Sequence, residues 1–225
     1  MRLRRSLVSL TAACLLGSAN PVAAQTWRGL RVVPESRCSP YRASDYSYPQ
    51  SIEARIVESL GGIWSPYTGR TFASRRETDI EHIVARSEAH DSGLCAATAE
   101  TRRRFATDLL NLTLASPGVN RGQKNARDVA EWLPDRNQCW FADRVVGVRQ
   151  KYSLTIDRRE ADALDRVLAS CASTALVRGG ARVTARVDPG GRQRCMLCPQ
   201  GGQLHGRSVL LADQQYKQLF PYSTL

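Results

Sequence analysis

Beyond its first 24 residues the sequence has no long apolar stretch, and nowhere does an apolar run reach the roughly 20 residues of a membrane-spanning helix. No internal repeat of the kind that builds solenoids or arrays is present. An integral membrane protein and a repeat protein are therefore not expected. Lysine is scarce: Lys124, Lys151 and Lys217 are the only three among 32 basic residues. Histidine is equally scarce, with only His82, His90 and His205.

What is present begins with an export signal. Met1 to Arg5 carries positive charge, Leu7 to Leu16 is a short apolar run, and Pro21-Val-Ala-Ala24 offers small residues for cleavage after Ala24. The expected organisation is a signal peptide over 1–24, a folded domain over 25–171, and a Gly- and Arg-rich tail over 172–225. Secretion or periplasmic release is expected, without membrane anchoring. Removal of Arg2, Arg4 and Arg5 takes the net charge from +11 to about +8. Arginine is the better bidentate phosphate binder, so this excess suits a polyanion, although solubility or coding bias accounts for it equally. Six cysteines remain after cleavage: Cys38, Cys95, Cys139, Cys171, Cys195 and Cys198. In an oxidising compartment these read as disulfides, with 15 connectivities open.

Periodicity predicts a helix over 51–60, stopped by Gly61-Gly62. Short strands are expected at 70–74, 78–84 and 112–115, with a turn at Ser116-Pro-Gly118. Helices are expected over 101–110, from Asn125 to Trp132, and over 140–152. A last helix follows the capping-box-like pair Asp157 and Glu160, with Ala161, Leu164, Val167, Leu168 and Cys171 as its apolar stripe. The fold class is α+β.

Chemistry concentrates in Asp79-Ile-Glu-His82, Asn111-Leu-Thr-Leu and Asn120-Arg-Gly-Gln-Lys124. One carboxylate and one neutral oxygen ligand can hold a hard cation while water and phosphate oxygens complete its shell. Such a cation neutralises charge building on a phosphate, and an imidazole can take the proton of the attacking water. Adjacent residues of a regular strand point to opposite faces. Glu81 and His82 therefore suit one ligand and one base better than two ligands of a single ion.

These segments resemble the HNH nuclease superfamily, and within it a secreted bacterial branch with a D-x-E/D-H signature. The matching stretches are Asp79 to Leu94, Asp108 to Lys124 and Asp128 to Pro134. The resemblance implies a ββα-metal unit inside a mainly helical, disulfide-containing domain. It makes His82 the general base and Glu81 and Asn120 metal ligands. Asn111 braces the loop that orients the histidine, and Asp79 orients a ligand or a metal-bound water. Arg121 and Lys124 are placed on phosphate. The cofactor implied is one divalent cation, Mg²⁺ first, with Mn²⁺ or another divalent ion open. Family members often carry a CxxC zinc pair around the motif, and none stands there in this sequence.

The expected activity is a secreted endonuclease of low sequence specificity on DNA, with RNA open. The competing expectation is a non-catalytic protein on the same fold that binds nucleic acid or another anionic polymer. An inhibitor protein and the oligomeric state are left open. His90 is either a substrate- or metal-binding group or a hydrogen-bonded structural histidine. Cys195-Met-Leu-Cys198 with His205 is either a disulfide region or part of a zinc site. Trp132, Trp140 and Phe141 either stack on bases or pack the core.

Overall fold

A computed structural model describes residues 25–178, together with two short strands at 186–187 and 193–194. The expected signal peptide, Cys195, Cys198 and His205 lie outside the described residues. The two short strands, Arg186–Val187 and Gln193–Arg194, pair antiparallel with each other in a second unit of the chain.

The first unit is α+β: mainly helical, with small antiparallel sheets and two disulfides. In order it runs β1 (Thr26–Trp27), β2 (Leu30–Arg31), α1 (Ile52–Leu60), β3 (Asp79–His82), α2 (Arg86–Asp91), α3 (Ala99–Ala106) and β4 (Leu112–Ala115). A π-helical turn (Gly118–Lys124), α4 (Gln138–Lys151) and α5 (Arg158–Ala169) complete it. None of its helices is long and apolar enough to cross a membrane.

The β3–β4 pair positions the chemistry. Its register sets Asp79 opposite Ala115, Ile80 opposite Leu114, Glu81 opposite Thr113 and His82 opposite Leu112. Side chains alternate across a strand, so Ile80, His82, Leu112 and Leu114 share one face. Ile80, Leu112 and Leu114 pack there with Ile52 and Ile56 of α1 as a small apolar core. Asp79, Glu81 and Thr113 share the other face, which the π-helical turn covers through Asn120, Arg121 and Lys124. The alternation of the sequence thus splits the hairpin into a packing face and a polar face.

The larger core gathers Tyr67, Phe105, Phe141, Val145, Val148 and Leu164 with their neighbours. Trp140 and Phe141 are buried in it, and Trp132 packs edge-on to Tyr67 and Phe141, so these aromatics serve packing. Cys38 is joined to Cys95, and Cys139 to Cys171. Asn137 exchanges hydrogen bonds with the backbone of Val177, which fastens residues just past Cys171 to the start of α4.

Three local expectations fail for identifiable reasons. Residues 70–74 form no strand: Thr71 makes a single bridge to Trp64, and Glu77 folds back onto the backbone of Ala73 and Ser74 to close a tight turn. No helix runs from Asn125 to Trp132. Helical winding comes earlier, and Asn125 ends it with φ 48°. Asp128 then accepts from the Ala130 and Glu131 amides, a local bond that competes with helix. At α5, Asp157 caps the helix by accepting from the Glu160 amide, while the Glu160 carboxylate turns inward to Arg149 instead of closing a capping box.

Candidate active site

Asn111 is fully buried just before β4. Its Oδ1 accepts from the Val84 amide at 2.8 Å, its Nδ2 donates to the Val84 carbonyl at 3.2 Å, and its own carbonyl accepts from the Ile83 amide. One side chain therefore fixes the backbone immediately after His82. Hydrophobic substitution would leave both polar groups of Val84 unpaired in the interior.

His82 ends β3. Its Nε2 lies 3.0 Å from the carbonyl of Ala106, the last residue of α3. A carbonyl only accepts, so Nε2 carries the proton and Nδ1 keeps its lone pair. Nδ1 takes no hydrogen bond from any described residue. The ring lies between Phe105 (centroids 6.3 Å apart) and Tyr48 (5.1 Å). Burial first, and the Arg86 guanidinium second, hold the imidazolium down to a pKa of about 3. At neutral pH the ring is neutral, with its orientation fixed through Nε2.

Glu81 points the other way. It is 3% exposed, and the ammonium of Lys124 stands 2.9 Å from its Oε1. Burial pushes the Glu81 carboxyl up, and Lys124 opposes that shift. Lys124 is itself wholly buried and also donates to the His82 carbonyl at 3.0 Å. In this structure it braces the end of β3 from inside and does not line the cleft. Two positions back on the same face, Asp79 accepts from Arg121 at 2.8 and 2.6 Å and from Asn120 Nδ2 at 3.0 Å. With its amide nitrogen tied to Asp79, Asn120 keeps Oδ1 without a hydrogen bond from any described residue.

Asp79, Glu81, His82, Asn120 and Arg121 line one cavity of about 550 Å³. Tyr41, Tyr48, Glu53, Arg75 and Arg86 complete much of its wall. Arg86 reaches it from the start of α2, with its guanidinium over the Tyr48 ring at 5.3 Å and one hydrogen bond to the Tyr46 carbonyl. An imidazole with a free lone pair, an unspent amide oxygen and several guanidinium groups around one polar cleft suit an anionic substrate whose hydrolysis starts with proton removal from water.

Residues 42–166 match the family described as GmrSD restriction endonucleases, C-terminal domain. The chain belongs to this HNH-type family. The matched span contains all of β3, β4 and the π-helical turn, hence every wall of the cleft except Tyr41. The chain is also similar to an uncharacterized secreted protein of Arthroderma benhamiae, at 29% identity over 123 residues. That alignment covers 53% of this chain and 60% of the relative's length. No solved structure matches the chain.

Within the GmrSD-type domain the candidate residues fall into two sets. The cleft brings together His82, Asn120, Asp79, Glu81 and Arg121, while Asn111 and Lys124 hold the frame behind it. His90 is elsewhere. It is fully buried, donates from Nε2 to the Ser39 carbonyl at 2.7 Å and accepts the Tyr46 hydroxyl at Nδ1. Those bonds spend both ring nitrogens on anchoring the segment that carries Tyr41 and Tyr48. Sequence reasoning passed over Tyr48, Arg86, Arg75 and Glu53. Glu53 was legible as the polar side of α1, but nothing in the pattern placed it in the same cleft as His82.

Proposed function

We propose that the protein is an exported, divalent-cation-dependent endonuclease that hydrolyses phosphodiester bonds of DNA, with RNA as a second polymer to test. The observation that carries this reading is the pairing of His82, neutral and oriented through Nε2, with Asn120, whose amide oxygen is left unspent on the same cleft. The family membership and the secreted relative support it. The β3–β4 hairpin with the turn after it corresponds, in this reading, to a ββα-metal unit whose third element is a seven-residue π-helical turn.

The ligands available fit a hard cation. Asn120 offers a neutral oxygen and Glu81 a carboxylate, and Asp79 fixes the Asn120 amide. Among the described residues no three acidic or histidine ligands converge in this cleft. Most of the shell would therefore be water and phosphate oxygens, which suits Mg²⁺ or Mn²⁺. Once bound, the cation supplies neutralisation of charge on the phosphate and the leaving oxygen. His82 Nδ1 accepts one proton of the attacking water as its oxygen bonds to phosphorus. The bridging P–O bond breaks, and the departing oxygen takes a proton from solvent. Arg86, Arg75 and Arg121 hold the scissile phosphate and its neighbours. Two disulfides fit an oxidising compartment.

A non-catalytic binding protein on the same fold is the second reading. It is favoured by Lys124 and Arg121 already neutralising Glu81 and Asp79. Incubation of oxidised protein with plasmid DNA, and separately with RNA, in Mg²⁺ or Mn²⁺ and in EDTA separates the two. Nicking that vanishes with EDTA supports the nuclease. Binding without cleavage under every metal moves the assignment to the second reading.

A further inference from the structure

The active-site cleft has two neighbouring recesses, and they differ in charge. On one side Tyr48 forms a shared wall with a recess of about 520 Å³ that Glu100, Arg103, Arg104 and Thr107 also line. On the other side Ser87 and Ala126 are shared with a recess of about 350 Å³. Its acids are Glu35, Glu88, Asp91, Asp128, Glu131 and Asp157, against two arginines.

The arginines of the acidic recess are already engaged: Arg37 grips Asp91 at 2.7 and 2.6 Å, and Arg159 lies 3.8 Å from Glu131. Glu88 is paired with the buried Arg149, but Asp128 and Asp157 have no ion-pair partner among the described residues, and a phosphate backbone entering there would meet their charge. On the Tyr48 side the balance reverses. Arg103 and Arg104 are exposed, and neither has a carboxylate within ion-pair distance among the described residues. The Arg104 guanidinium donates to the Thr101 hydroxyl, its one side-chain hydrogen bond among the described residues. These cations also have a fixed relation to the catalytic base, because Ala106 of the same helix accepts the His82 Nε2 hydrogen bond.

We infer that a nucleic-acid strand occupying the cleft continues over Tyr48 onto Arg103 and Arg104 of α3, and that the acidic recess closes off the opposite route. This rests on the nuclease reading for its occupant, yet it concerns binding alone. Each phosphate neutralised by a basic side chain releases counterions, and log K falls with log salt by about 0.9 per contact on duplex DNA and about 0.7 on a single strand. The surface thus makes a countable prediction.

The test is fluorescence anisotropy of a labelled duplex and a labelled single strand, titrated with oxidised His82→Ala protein across a salt series in EDTA. The same series is run with Arg103→Ala/Arg104→Ala and with Arg37→Ala/Arg159→Ala added. Loss of about two contacts from the salt slope in the α3 variant, with the slope kept in the other, is expected. An unchanged slope in the α3 variant, or a fall confined to the Arg37/Arg159 variant, overturns the track. Whichever polymer shows the larger change identifies the strand form that the track accepts. Because the assay needs no turnover, wild-type cleavage is scored separately. A slope change without cleavage keeps the track and removes the hydrolase, and cleavage with no slope change does the reverse.

Discussion

Arg149 and Lys124 are both completely buried cations, but their surroundings differ. Arg149 of α4 donates to Glu88 of α2, Glu160 of α5, the Ser92 hydroxyl and the Thr155 carbonyl. One planar fork thereby joins three helices and the loops between them, with its donors nearly all spent. Lys124 makes two contacts, to Glu81 and to the His82 carbonyl, and an ammonium has three protons to give. Its partner Glu81 lines the cleft. The Arg149 centre spends its donors on the scaffold, whereas the Lys124 centre keeps one ammonium proton unspent beside a carboxylate that lines the cleft.

Breaking each centre sharpens the contrast. Arg149→Ala removes at once the donors of Glu88, Glu160, the Ser92 hydroxyl and the Thr155 carbonyl and leaves all four without that partner in the interior. It is expected to cost about 3–5 kcal/mol, the range for removing one partner of a buried pair, read as a large drop in denaturant midpoint. Lys124→Met keeps the stem volume and leaves a single carboxylate that burial already disposes to take a proton. A smaller cost of about 1–3 kcal/mol is expected. Cleavage should fall more than stability does, because the His82 carbonyl loses its brace. Equal stability losses in the two variants would show that the centres are not distinct in kind.

A weaker effect separates them by pH. Native His82 stays neutral down to about 3, whereas the unfolded ring takes a proton near 6.5. Between those values the unfolded state binds more protons, so stability falls as pH falls from about 6.5 toward 3 and is flat above it. Glu160, raised to about 8 chiefly by burial, acts with the opposite sign, losing stability as pH rises from 4.5 through that value. Comparing wild type with His82→Ala by urea unfolding at several pH values isolates the imidazole. The variant should show a shallower acid limb, and identical limbs would remove His82 from the balance.

Much of the scaffold was legible. The spacing of Ile52, Ile56 and Leu60 gave α1 and its glycine stop, and the stripe from Ala161 to Leu168 gave α5. Both strands of the hairpin fall within the short strands expected at 78–84 and 112–115. The helix ends and the polar interior were harder. A seven-residue π-helical turn carries no 3.6-residue signature, so Asn125 read as a beginning and not as an end. Lysine is almost never fully buried unless paired, and nothing local marks Lys124 as the exception. Arg86 and Tyr48 join the cleft through contacts between segments far apart in the chain, which one-dimensional spacing does not encode.

The most direct measurement is plasmid hydrolysis by wild type, His82→Ala and Asn120→Ala side by side in saturating Mg²⁺, with thermal unfolding recorded for each. The expected result is that both variants stay folded and lose about 100-fold or more in rate, the scale for losing a general base or a preorganised oxygen ligand. Folded variants that cut DNA as fast as wild type would place the chemistry, if any, outside this cleft.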